Sequence, residues 1–103
     1  MPEPIRIRTR RSEGQTEVRI LMPHPMETGM RQGADGRLLP AHYITEVKVS
    51  LEARPVFAAS MSYAVSQDPL LSFRFKGGLP GDRLRVSWTD NLGGQRSDEA
   101  LLS

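Results

Sequence analysis

Along most of the chain apolar and polar residues alternate one for one, the period of a strand with one face on a core and the other in water. Residues 5–8 set Ile5 and Ile7 against Arg6 and Arg8. Residues 16–22 put Val18, Ile20 and Met22 on one face and Glu17, Arg19 and Leu21 on the other. Residues 44–51 oppose Val47, Val49 and Leu51 to Glu46, Lys48 and Ser50, and residues 56–61 align Phe57, Ala59 and Met61. Leu71, Phe73 and Phe75 alternate with Ser72, Arg74 and Lys76; Leu84, Val86 and Trp88 alternate with Arg83, Arg85 and Ser87; residues 95–102 predict a last strand. Glycine, proline and aspartate mark turns at 11–14, 52–55, 67–69, 77–82 and 90–94. No window carries the 3.6-residue period of an amphipathic helix. About seven short strands at regular spacing predict an all-β fold, an immunoglobulin-like two-sheet antiparallel β-sandwich in one domain spanning 1–103.

One stretch breaks the pattern. Residues 21–44, LMPHPMETGMRQGADGRLLPAHYI, hold both histidines, three of the five methionines and three of the eight prolines. A long irregular loop on a regular scaffold is where binding and chemistry concentrate.

Composition narrows the chemistry. The chain has no cysteine, which excludes thiol nucleophiles, disulfides and thiolate metal sites. It has no apolar run long enough to span a membrane, and its start, MPEPIRIRTRR, lacks the apolar core of a secretory signal. Net charge is +2, and Arg6, Arg8, Arg10 and Arg11 form a local basic cluster. That cluster reads as a nucleic-acid arm or as the solvated face of an edge strand; alternation with isoleucines, and no interleaved aromatic, favour the edge strand. Trp88 ends an apolar strand face and is expected in the core, while Arg83 and Arg85 are expected in solvent.

For catalysis the loop offers His24, His42, Glu27 and Asp35. The nearest serines, Ser12 and Ser50, stand in no nucleophile motif, and no phosphate-binding glycine loop is present. For metal, Met22, His24, Met26 and Met30 give M-x-H-x-M-x-x-x-M with His42 across the loop, a thioether–imidazole set suited to Cu(I). Each of these residues has an ordinary structural use as well, the methionines in packing and His24 in a loop hydrogen bond. A copper-binding periplasmic β-sandwich is therefore the alternative reading.

Three segments in order, VRILMPHPMETGMR (18–31), LPAHYITEVKV (39–49) and LLSFRFKGGLPGDRLRVSWTDNLGGQRSDEA (70–100), resemble the SoxZ family, one half of the SoxYZ carrier complex of thiosulfate oxidation. The resemblance runs from about residue 5 to the end of the chain. It implies an immunoglobulin-like sandwich that forms a heterodimer with SoxY, whose glycine-flanked carboxy-terminal cysteine carries the sulfur intermediates. It implies transient docking with other Sox enzymes, and a periplasmic location reached by export with a signal-bearing SoxY. Nucleic acid, membrane, cofactor, metal and catalytic residues are not expected. A lone subunit would leave apolar or edge-strand surface exposed. The residues expected to meet a partner are Pro23, His24, Pro25, Met26, Glu27, Thr28 and Gly29 with Pro40, Ala41 and His42. The outward apolar residues Leu21, Tyr43 and Leu70 join them, unless each caps a sheet end within the monomer.

Overall fold

Each alternating run becomes a strand because one of its faces can be buried only against another sheet. The computed structural model describes residues 2–103. Seven strands run in order: β1 (Arg6–Ser12), β2 (Gln15–Leu21), β3 (Ile44–Leu51), β4 (Arg54–Ser60), β5 (Leu70–Lys76), β6 (Arg83–Asp90) and β7 (Gln95–Leu101). They build two antiparallel sheets, ordered β1-β2-β5 and β4-β3-β6-β7. This is the expected immunoglobulin-like sandwich, with its fourth strand hydrogen-bonded to β3 in the larger sheet, not to β5 as in constant-type domains.

The register turns the apolar positions of β2, β3, β5 and β6 inward. Val18 lies opposite Phe73 and Ile20 opposite Leu71 in one sheet. In the other, Val47, Val49 and Leu51 oppose Trp88, Val86 and Leu84. These residues, with Met22, Ile44 and Leu102, form the shared core. Phe57 of β4 stacks on Phe73 of β5 at 4.2 Å, closing one side of the sandwich. On the other side the Ile5 amide donates to Asp98 at 2.8 Å and ties the start of β1 to β7.

The hairpin turns are tighter than their sequence markers suggest. β1 and β2 leave only Glu13 and Gly14 between them, at φ of 51° and 76°, and β3 and β4 leave only Glu52 and Ala53, at 47° and 68°. Two consecutive left-handed residues match the twist of the flanking strands. Arg11, Ser12, Arg54 and Pro55 therefore belong to strands, not to turns. Pro55 is tolerated because β4 is an edge strand.

At one end of the molecule β2 finishes at Leu21, β5 starts at Leu70, β3 starts at Ile44 and β6 finishes at Asp90. Residues 22–43 close over that end. They fold back on themselves through antiparallel bridges between Glu27 and His42 and between Gln32 and Leu38.

Candidate functional site

β6 presents Leu84, Val86 and Trp88 inward, and two residues on the same face comes a carboxylate, Asp90. Its side chain is 2% exposed and fully partnered. Oδ1 accepts the amides of Leu92 at 3.0 Å and Gly94 at 2.7 Å, which fixes the turn into β7. Oδ2 accepts two imidazoles, from His24 Nε2 at 3.0 Å and His42 Nε2 at 2.8 Å. A Cβ at Gly94 would stand 2.6 Å from that same oxygen, so only glycine fits there.

Both histidines are held by their own loops. The His24 amide donates to Asp68 Oδ1 at 2.9 Å, and its carbonyl accepts from the Asp68 amide at 3.0 Å. Its Nδ1 accepts the Met26 amide at 3.1 Å. That bond assigns the tautomer: Nδ1 carries the lone pair, so Nε2 carries the hydrogen given to Asp90. His42 is held from both flanks by Asn91, whose Oδ1 accepts the Tyr43 amide at 2.8 Å and whose Nδ2 donates to the Ala41 carbonyl at 2.9 Å. The two imidazoles meet at 4.5 Å between centroids, and Trp88 backs His24 edge-on at 5.0 Å. Trp88 is in the core, as its place at the end of an apolar face predicts.

The electrostatics follow from burial. Burial pushes the Asp90 carboxyl up, but the hydrogen bonds from His24, His42, Gly94 and Leu92 outweigh it and hold the group below the ordinary carboxylate range. Burial also holds His24 below its ordinary 6.5, against the opposing pull of Asp90. The cluster is thus one carboxylate with a neutral His24.

Sequence reading places Met22, His24, Met26, Met30 and His42 as a candidate thioether–imidazole set, and the structure uses them separately. Met22 is sealed in the core, Met30 is 70% exposed, and the Met26 sulfur accepts the Ile44 amide at 3.3 Å. His24, His42 and Asp90 do bring three donor atoms within 4.8 Å of one another. A metal on His24 Nε2 would require that nitrogen's lone pair and move the hydrogen to Nδ1, against the Met26 amide. The hydrogen-bond set fits a closed structural hub and does not fit the copper reading.

A cleft of about 520 Å³ opens beside the hub, lined by Pro23, Pro25, His24, His42, Trp88 and Asp90 among others. In a Ser–His–Asp arrangement the Asp–His pair deprotonates a side-chain nucleophile. Among the described residues no serine, threonine or lysine lines this cleft.

Of the residues expected to meet a partner, Pro25, Thr28, Pro40 and Leu70 are exposed. Leu21, Pro23, Glu27, Gly29, Ala41, His42 and Tyr43 are half-buried, while His24 and Met26 lie beneath the surface and can only support it. Leu21 and Leu70 are cross-strand neighbours. Gly29 has φ of 87° and sits where a Cβ would meet the Ala41 Cβ at 3.1 Å, so its lack of a side chain lets the two arms of the loop close. Glu27 is braced by Arg31 at 2.6 Å, and this hydrogen bond holds its carboxyl below the usual range. Asp90, Asn91 and Asp68, which organise the site, are residues that the sequence marks only as turn formers.

The family model described as "Sulphur oxidation protein SoxZ" matches residues 5–101. Among solved structures, a hypothetical protein from Pyrococcus horikoshii OT3 aligns with a TM-score of 0.71 at 19% identity, covering 99% of this chain and 89% of that one. A superoxide reductase in the oxidized state aligns at 0.69 and 18%, covering 96% and 86%. The superoxide reductase (neelaredoxin) from Archaeoglobus fulgidus in the reduced form aligns at 0.67 and 23%, covering 96% and 88%. At these identities the likeness establishes a shared sandwich and nothing about activity. No curated protein matches the chain by sequence.

Proposed function

The chain belongs to the SoxZ family of sulphur oxidation proteins, and we propose that its part in that process is a non-catalytic one, as the rigid subunit of a SoxYZ-type sulfur-carrier heterodimer. One observation carries this reading: a chain matched to a sulfur-oxidation family over residues 5–101 contains no cysteine. Sulfur carried covalently through a thiol must then reside on a second polypeptide, the SoxY-type partner with its arm cysteine. The arm has to reach several enzymes and so must move, whereas its base has to stay fixed. A sandwich whose end is locked by a buried carboxylate with four hydrogen bonds supplies such a base.

The partner surface is the loop-covered end. Pro25, Thr28 and Pro40 form its exposed part, with Leu21, Tyr43 and Leu70 as apolar anchors and with Pro23, Glu27, Gly29, Ala41 and His42 between them. His24 and Met26 set the shape from below. A stable heterodimer needs about 1,600 Å² of buried surface in total, so the interface extends beyond these residues onto the partner-facing strands. The setting proposed is the periplasm, with thiosulfate as the oxidised substrate and other Sox enzymes docking in turn.

The reading is tested by mixing the purified chain with a SoxY-type chain at micromolar concentration. Co-elution as a 1:1 complex in size-exclusion chromatography is expected. Separate elution at all concentrations would remove the basis for the carrier role.

A further inference from the structure

The two outer sheet faces treat their charges differently. On the four-stranded sheet, Lys48 pairs with Glu46 at 3.4 Å and Arg83 with Glu99 at 3.8 Å. On the three-stranded sheet the register aligns Arg6, Arg8 and Arg10 of β1 with Leu21, Arg19 and Glu17 of β2, and these with Leu70, Ser72 and Arg74 of β5; Lys76 follows opposite Gln15. All six cations are exposed. The single carboxylate, Glu17, is shared between Arg10 at 3.8 Å and Arg74 at 3.5 Å. The face is formally +5 on a protein of net charge +2, which leaves the rest of the molecule formally −3.

Arg8 and Arg19 are direct cross-strand partners. Like charges directly opposite one another destabilise a sheet. Among the described residues neither arginine has a carboxylate within ion-pair distance. A folded monomer gains nothing from this arrangement, whereas an incoming anionic surface would relieve it.

We propose that the cationic part of the outer face of the β1-β2-β5 sheet, centred on Arg8 and Arg19, is a docking surface for an acidic protein partner, bordering the loop-covered end at Leu21 and Leu70. Permanent interfaces are depleted of charge at their centre, and this face is mostly cationic, which suits a partner that arrives fast and leaves. Nucleic acid fits less well. The face carries no aromatic for base stacking, and a three-stranded sheet backed by a second sheet cannot enter a major groove that admits a helix or a two-stranded ribbon. The assignment stands independently of which chain covers the loop end.

The test uses the full chain with a labelled polyglutamate peptide as probe, beside a DNA duplex of equal charge. The peptide is expected to bind in low salt and to weaken about tenfold or more between 20 and 200 mM salt. Arg8→Thr with Arg19→Thr is expected to lower its affinity about tenfold, and Arg83→Thr with Arg85→Thr on the opposite face to leave it within about twofold. Arg8→Thr alone is expected to raise Tm by about 2 °C in low salt, with the gain lost in high salt. Equal losses in both double variants, tighter capture of the duplex, absence of peptide binding, or a fall in Tm for Arg8→Thr would each overturn the proposal.

Discussion

Replacing Asp90 with alanine is expected to cost about 3–4 kcal/mol of folding stability, measured as a fall in the urea midpoint at unchanged slope. The variant leaves four donors without their acceptor: two imidazole N–H groups and the amides of Leu92 and Gly94. Removing one partner from a buried charged network costs more than the network contributes, because the remaining groups stay desolvated. Asp90→Asn is expected to recover little, since its amide would direct hydrogens at donors. The pH dependence has a definite sign. His24 in the fold is held below 6.5, so the unfolded chain takes up a proton first as pH falls; that stability is complete above 6.5 and declines below it. Asp90 is held below 3.8, so its contribution is present above that value and is lost as pH falls through the lower folded one. Wild type should therefore lose stability in two stages on acidification. His24→Gln should lack the first stage, and a wild-type curve flat from pH 7 to 4 would contradict the neutral His24 described here.

Thr28→Asp combined with Pro40→Asp is expected to weaken the complex with a SoxY-type partner about 100-fold, close to 3 kcal/mol, while Tm changes by no more than a few degrees. Both residues are exposed. Thr28 Oγ1 accepts the Met30 amide at 3.0 Å, a bond that an aspartate oxygen can replace, so the local turn is kept. Two carboxylates placed in a desolvated apolar surface have no counter-charges prepared for them. An affinity unchanged in this variant would move the permanent interface away from residues 23–29 and 40–42.

Strands were legible because burial on one face writes a period of two into the sequence; β1 and β4 run into their expected turns because a two-residue turn absorbs less chain than its polar markers occupy, and the other strand ends move by at most two residues. The site was legible in part. The loop at 21–44 stands out by composition, but its closure depends on Glu27 meeting His42 across the loop and on Asn91 clamping residues 41–43 from 48 and 50 residues away, contacts that no local pattern encodes. Asp90 did leave a trace. Following Leu84, Val86 and Trp88 at the same spacing, it is a carboxylate on an inward face, and such a group requires buried donors. Its turn-forming neighbours concealed that second role. The methionine spacing pointed the other way, toward a ligand set, because periodicity alone does not separate a sulfur that packs from one that coordinates.

The division of labour between a thiol-free body and a sulfur-bearing arm is tested most directly by intact-mass spectrometry of the reconstituted complex during thiosulfate oxidation. The expected result is a sulfur-containing adduct on the partner alone, formed efficiently only when this chain is present, with this chain's mass unchanged. An adduct on this chain, or full loading of the partner in its absence, would contradict it.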